Sequence, residues 1–453
     1  MGLMTSTYDL IVIGSGPAGG RAANQARKKG WKVAIVEERE FGGTCPNRGC
    51  DPKKVLVGIS EIYDNAQRVM GSGLKGEVHL DWQELKTFKD KFVEPVSPSI
   101  EESLKNEGID TFKGKAVFQD AKTISVGDQT LAGQKIIIAT GAKPATLPVE
   151  GGDLLTTSDE FFELEELPDR ILFVGGGYIS FEFAHLCARL GKDVIILHRG
   201  RNVLESFDHE MTNKLIELTK DLGVDIHVGT EVTAIEKAQD GGYRLNVKKF
   251  DHEHEFKADL VVHGGGRSPN VDGMQLDKAG IELGEKGIKV NDFYQTQSHS
   301  HIYAVGDVAE NGQPPLTPVA GEEVRRLLQH LFEEEEISPV NTPVPSVVFT
   351  YPKLAKVGLT QQEASSQNIP YEVQSKNIAS FFSYKRTNEN GAYVKILTNP
   401  LTNEIIGAHL LTSSAEHLIN IFALAMKKKM TKQELSSFLW AYPSEESDIP
   451  SFF

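Results

Sequence analysis

An α/β fold with two repeated strand–loop–helix–strand units is what this sequence predicts, from three observations. A strand, glycine loop, helix and strand follow one another near the start. The same order recurs from Ile171, and the apolar runs flanking both glycine clusters are strand-sized. At 453 residues the chain suggests about three domains and exceeds what one hydrophobic core supports. Apolar residues at 40% and charged residues at 25% exclude disordered and fibrous classes. Lys and Arg number 48 against 63 Asp and Glu, and a net charge of −15 argues against a nucleic-acid or anionic-membrane partner. Runs such as Leu10-Ile11-Val12-Ile13 and Ile136-Ile137-Ile138 fall far short of the roughly 20 residues of a membrane span.

The first unit opens on Leu10-Ile11-Val12-Ile13 and turns through Gly14-Ser15-Gly16-Pro17-Ala18-Gly19 into a helix rich in small residues, with Ala22 and Ala23. A second strand, Val33-Ala34-Ile35-Val36, ends in Glu37. Gly14 suits the tight turn, Gly16 leaves backbone access for a pyrophosphate, and Gly19 allows close helix–sheet packing. The helix N-terminus offers free N–H groups to phosphates. Glu37 would accept from a ribose 2′-hydroxyl.

The second unit runs Ile171-Leu172-Phe173-Val174 into Gly175-Gly176-Gly177-Tyr178-Ile179-Ser180, then a helix ending near Gly191 and the strand Val194-Ile195-Ile196-Leu197. Ser180 is small enough for the third glycine's place. The step from Gly16 to Glu37, repeated from Gly177, lands on His198, followed by Arg199 and Arg201. A carboxylate would repel a 2′-phosphate, whereas a guanidinium binds one. The second site therefore reads as an NADPH site. One resident and one visiting cofactor is the economical arrangement, with FAD in the first site.

Three cysteines, Cys45, Cys50 and Cys187, are no structural disulfide framework. Cys187 sits among Phe183, Ala184 and Leu186 and reads as a buried, inert thiol. Cys45 and Cys50 stand in Gly42-Gly43-Thr44-Cys45-Pro46-Asn47-Arg48-Gly49-Cys50-Asp51-Pro52-Lys53, leading into a helical stretch whose N-terminus and neighbouring cations favour a thiolate.

This segment resembles that of the flavoprotein disulfide reductases, the group of glutathione reductase, dihydrolipoamide dehydrogenase and mercuric reductase. Ala139-Thr140-Gly141 looks like their turn between nucleotide domains, and Tyr303-Ala304-Val305-Gly306-Asp307 like their ribityl-binding segment. Leu316-Thr317-Pro318-Val319-Ala320 looks like the helix start beneath the flavin ring. The stretch from Pro345-Ser346-Val347 through Gly407-Ala408-His409 looks like their dimerisation domain. The resemblance implies two Rossmann-like domains, for FAD and NAD(P), and a C-terminal α+β dimerisation domain in a homodimer. The expected division is 1–150 and 271–338 for FAD, 151–270 for NADPH and 339–453 for dimerisation. Four glutamates at 333–336, then Pro339, mark the last boundary.

By the same resemblance, Cys50 would be the charge-transfer thiol and Cys45 the interchange thiol that attacks the substrate. Lys53 would lie by the flavin, paired with Glu182, and Tyr178 would cover the flavin until nicotinamide displaces it. FAD would be held by Gly14, Gly16, Gly19, Glu37, Gly43, Thr44, Thr140, Gly141, Gly306, Asp307 and Ala320. NADPH would be held by Gly175, Gly177, Tyr178, Ile179, His198 and Arg199.

The sequence leaves the family pattern at its end. Where the partner subunit of a family member supplies a His and, five residues on, a Glu, this chain has Tyr442 and Ser447, with Glu446 and Asp448 near. Imidazole near pKa 6.5 gives and takes protons at pH 7, whereas a phenol near 10 only donates. General acid–base help is worth roughly 10²–10⁴ in rate, so easily departing substrates should suffer least. No vicinal cysteines lie near the end, which disfavours mercuric reductase and large thioredoxin reductase. The basic residues after the second unit and the missing His disfavour lipoamide dehydrogenase. Arg325 resembles a substrate-carboxylate clamp and equally fits a solvated helix face.

The expected activity is an NADPH- and FAD-dependent reduction of a small-molecule disulfide or sulfur-directed oxidant, passing electrons through Cys45 and Cys50. A quinone, a metal ion or hypothiocyanite as acceptor, and a catalytically decayed flavin-binding dimer, are the alternatives. The strand starting at Tyr8 leaves no room for a secretory leader, so a cytoplasmic protein is expected. Met1-Gly2 formally fits a myristoylation pattern, and a short polar leader explains it more simply.

Overall fold

A computed structural model describes residues 5–239, 241–250, 252–333 and 342–453. The Met1-Gly2 pattern, the glutamates at 334–336 and Pro339 lie outside them. The chain forms two compact units and passes between them after Lys53, Lys86, Ala145, Gly266 and residue 341.

The first unit is built on a parallel sheet. Strand β1 (Thr5–Ile13) pairs with β2 (Val33–Glu37) on one side and with the strand Gln129–Ile138 on the other, Ile13 lying opposite both Val36 and Ile138. Asp110–Lys113 extends the sheet beyond β2, and His299–Ala304 extends it beyond Gln129–Ile138. The strands are continuously apolar because both faces are covered. Ile11 and Ile13 enter one core with Phe118, Ile136 and Ile302, while Leu10 and Val12 enter the other. In that second core they meet Ala18, Ala22, Ala23 and Ala26 of helix α1 (Pro17–Lys28), together with Ala320, Val324 and Leu327 of the helix Thr317–Glu333. Helix α2 (Thr44–Arg48) follows β2, and helix α3 (Cys50–Arg68) begins two residues after it.

The second unit repeats the parallel arrangement in a four-stranded sheet ordered Asp225–Val228, Asp193–His198, Arg170–Val174, Leu260–His263. The helix Tyr178–Arg189 follows the glycine turn and is buried along most of its length. An antiparallel meander, Thr230–Lys237 with Tyr243–Lys249 and His252–Ala258, adjoins this sheet in sequence. The C-terminal part is a five-stranded antiparallel sheet whose central strands are Lys353–Gly358, Ile405–Thr412 and Tyr393–Thr398, and the helix Ala415–Lys427 packs its Leu418, Ile419 and Phe422 into the same core. The α/β class with a C-terminal α+β part is as the sequence predicts. No helix among the described residues is long and apolar enough to cross a membrane.

Candidate active site

The first glycine loop is as tight as its spacing requires. Gly14 has φ +97°, and a Cβ there would lie 2.4 Å from the Ala139 carbonyl oxygen. A Cβ on Gly19 would lie 1.9 Å from the Gly14 oxygen, so only glycine lets α1 start this close to the sheet. Gly16 caps α1 with nothing nearer than 4.0 Å to its own missing Cβ. Buried Glu37 binds the loop from within: one carboxylate oxygen accepts from Ser15 N at 2.9 Å and Ser15 Oγ at 2.7 Å, the other from Arg39 N at 2.8 Å.

Around this loop stand groups of several kinds. Thr140 Oγ1 is buried without a hydrogen bond beside Gly141, which has φ +66°. Burial raises the Asp307 carboxyl, with Arg267 opposing. Gly306 donates to Glu323 at 2.7 Å, and a Cβ on it would meet Ala320. Gly43, with φ +70°, packs so near that its Cβ would be 2.7 Å from Gly16 Cα, and Thr44 follows as the first residue of α2. Open backbone at Gly16, a free buried hydroxyl and a desolvated carboxyl fit a phosphate- and hydroxyl-bearing cofactor such as FAD.

Cys45 lies in α2, and Cys50 is the first residue of α3. Asn47 ties the turn down, its Nδ2 donating to the Phe41 and Gly43 carbonyls at 3.0 and 2.8 Å. Thr317 Oγ1 donates to Cys45 Sγ at 3.5 Å and lies 3.8 Å from Cys50 Sγ. The hydrogen bond with Cys45 brings the Cys50 thiol down to about 6; Thr317 and Lys53 help, against burial and Asp51. The partner bond and burial push Cys45 up, so the pair carries its negative charge on Cys50. Cys187 is fully buried, and burial raises its thiol.

In the second unit, Gly175 has φ +117°, and its Cβ would lie 2.3 Å from the Gly264 oxygen. Gly177 caps the helix Tyr178–Arg189. Ser180 takes the third glycine's place, with its Oγ buried and unbonded. Tyr178 is 51% exposed at the helix start, and Ile179 packs at the edge of the core. Glu182 is buried, its Oε1 accepting from Phe349 N at 2.8 Å. His198 Nδ1 accepts from Gly176 N at 3.1 Å. A backbone N–H only donates, so the ring's hydrogen sits on Nε2, which donates to the Asn202 carbonyl at 2.8 Å. The imidazole thus makes, neutral, the contact that Glu37 makes on Ser15. The cations at this strand end are Arg199 and Arg201, both exposed.

Tyr442 is in the second unit, 83% exposed, its hydroxyl without a hydrogen bond among the described residues. Ser447 Oγ donates to the Ser444 carbonyl at 2.6 Å, and burial raises the Asp448 carboxyl. Arg325 is held by Glu322 through two bonds of 2.7 and 2.6 Å and by Gln329 at 2.8 Å, the arrangement of a helix-face ion pair. Thr317 is the site residue that sequence reasoning missed; its segment showed as a helix start, with nothing to connect it to Cys45.

The pyridine nucleotide-disulphide oxidoreductase family matches residues 8–323, and that family's dimerisation domain matches residues 344–450. A glutathione reductase of Burkholderia cepacia is 34% identical over 439 residues, covering 96% of each chain. A dihydrolipoyl dehydrogenase of Bacillus subtilis is 31% identical, covering 96% of this chain and 93% of its own. Among solved structures, the HOCl-induced flavoprotein disulfide reductase RclA of Escherichia coli superposes with a TM-score of 0.88 at 26% identity, over 98% of this chain and 99% of that one. With two glycine loops, a Cys-x4-Cys pair and a dimerisation domain in the family's order, the chain belongs to the pyridine nucleotide-disulphide oxidoreductases, flavoenzymes that use FAD and NAD(P)H and act on sulfur groups.

Proposed function

We propose that this is an NADPH-dependent reductase of a small disulfide or sulfur-directed oxidant, acting as a cytoplasmic homodimer. The observation that carries it is the cysteine pair: two free thiols on successive helices, 3.5 and 3.8 Å from Thr317 Oγ1, with Cys50 the more acidic of the two. FAD, when bound, supplies a two-electron path from the pyridine nucleotide to that pair. Residues 1–150 and 271–338 are assigned to it, 151–270 to NADPH and 339–453 to dimerisation.

Cys45 is assigned the attack on the oxidised substrate, and Cys50 the resolution of the mixed intermediate. Lys53, on the first turn of α3, is assigned a place beside the flavin. NADPH is supported by the neutral acceptor at His198, which takes the place of an acid, and by Arg199 and Arg201 beside it. Tyr442 is assigned to the cysteines of the partner subunit as a hydrogen-bond donor, which its exposure in the dimerisation domain allows.

A second reading has its own support. A phenol is a poor base at pH 7, so a substrate that leaves easily or needs little proton management meets less difficulty than a disulfide of basic alkyl thiols. NADPH oxidation by the purified holoenzyme against glutathione disulfide, coenzyme A disulfide, bacillithiol disulfide, cystine, lipoamide, a quinone and hypothiocyanite separates the two. One sulfur acceptor reaching about 10⁴ M⁻¹s⁻¹ in kcat/KM names the substrate. Quinone turnover that survives Cys45→Ser, with no sulfur acceptor active, overturns the proposal.

A further inference from the structure

The reduced cysteine pair holds one proton and one negative charge between two sulfurs, and a third group touches both. Thr317 Oγ1 lies 3.5 Å from Cys45 Sγ and 3.8 Å from Cys50 Sγ. It is the first residue of its helix, as Cys50 is of α3, so two helix N-termini converge where negative charge is held. Among the described residues of one protomer, the other charged groups acting on the pair are Asp51 and Lys53, both on α3, and the donor assigned to it from the other protomer is a phenol. None of these is an imidazole, and a hydroxyl has one hydrogen to give.

We infer that Thr317 is a positioning residue whose hydroxyl hydrogen follows the negative charge between Cys50 and Cys45, so that the pair manages within itself the proton otherwise handled by a histidine. This rests on the disulfide-reductase reading. With a disulfide R–S–S–R, Cys45 Sγ bonds to one substrate sulfur while its proton passes to the Cys50 thiolate. The substrate S–S bond breaks, and RS⁻ departs with the bonding pair. Cys50 then gives the proton to RS⁻, releasing RSH and becoming thiolate again. The Cys50 thiolate next attacks Cys45 Sγ of the mixed disulfide, expelling the second RS⁻, which takes a proton from water, and closing the Cys45–Cys50 bond. The two electrons delivered are those stored in the reduced pair.

The test is alkylation of the reduced holoenzyme by iodoacetamide across pH, with each cysteine followed by peptide mass spectrometry. The wild type should show a reactivity midpoint near pH 6. Thr317→Val keeps the side chain's shape and removes the hydroxyl. It should raise the midpoint by about one unit, the size of one lost hydrogen bond to a charged group, and lower labelling at Cys45. Thr317→Ser should restore both. A Val variant whose midpoint and Cys45 labelling match the wild type overturns the inference, whatever the substrate proves to be. Should Val fail to fold, the wild type decides alone, through single-turnover oxidation by disulfides of graded leaving-thiol pKa. A shallow dependence supports internal proton delivery, and a steep one overturns it. A shifted alkylation profile with no active sulfur acceptor in the panel leaves the inference standing and removes the substrate reading.

Discussion

At the scale of single residues, the two nucleotide loops differ in one functional group. Glu37 and His198 make the same contact to the loop backbone, one through a carboxyl oxygen and the other through a ring nitrogen. On the proposed NADPH reading, cofactor choice then falls to Arg199 and Arg201. Arg199→Ala should lower kcat/KM for NADPH by about 10–100-fold, the worth of a hydrogen bond to a charged group, and leave NADH turnover nearly unchanged. Steady-state kinetics with both nucleotides checks this, and equal losses with both would remove the guanidinium from 2′-phosphate recognition. Tyr442→Phe should slow oxidation of the reduced enzyme by substrate and spare reduction by NADPH, which stopped-flow half-reactions separate.

At the scale of elements, α1 depends on Gly19. Its Cβ-to-oxygen distance of 1.9 Å means that Gly19→Ala must push the helix off β1, for about 1–3 kcal/mol of overpacking strain. The expected readout is lost flavin absorbance after gel filtration, with a lowered Tm. In the second unit, Asp208 caps the helix His209–Asp221, and Lys395 of a central strand reaches it at 3.0 Å, both fully buried. Burial raises the Asp208 carboxyl, and the Lys395 hydrogen bond and charge more than offset this, leaving it below its usual value. Lys395→Met strands a buried carboxylate and should cost about 3–5 kcal/mol at pH 7. Because the folded-state pKa is depressed, the wild type's advantage is present above about pH 4 and fades as pH falls through the lower folded value. The gap in Tm between the two proteins should therefore narrow toward pH 3. A constant gap would mean that packing, not the ion pair, is responsible.

At the scale of the whole molecule, the dimerisation domain exposes Leu424, Phe438, Leu439 and Tyr442. Light scattering should give twice the chain mass, and Leu439→Asp should weaken that dimer and reduce substrate turnover with it. Much of this architecture was legible. Ile11, Ile136 and Phe173 sit in continuous apolar runs because their sheets are covered on both faces, and Gly14, Gly19 and Gly175 announce backbone approaches that no side chain permits. What escaped was the product of distant pairing. Thr317 meets Cys45 across most of the chain, and Lys395 meets Asp208 from another element. At His198 the sequence showed only that the acid was missing, because it gives a residue's chemistry but not which of its nitrogens the backbone has claimed.

The internal acceptor under each glycine loop carries a lesson for rewiring such enzymes. Each loop asks its anchor only for a lone pair, and the backbone does not register whether that lone pair belongs to a carboxylate or an imidazole. Electron-donor preference is thus a detachable part of the scaffold. On the proposed reading it can be exchanged at the strand tip without retuning the cysteine pair, whose acidity comes from the Cys45 hydrogen bond with help from Thr317 and Lys53.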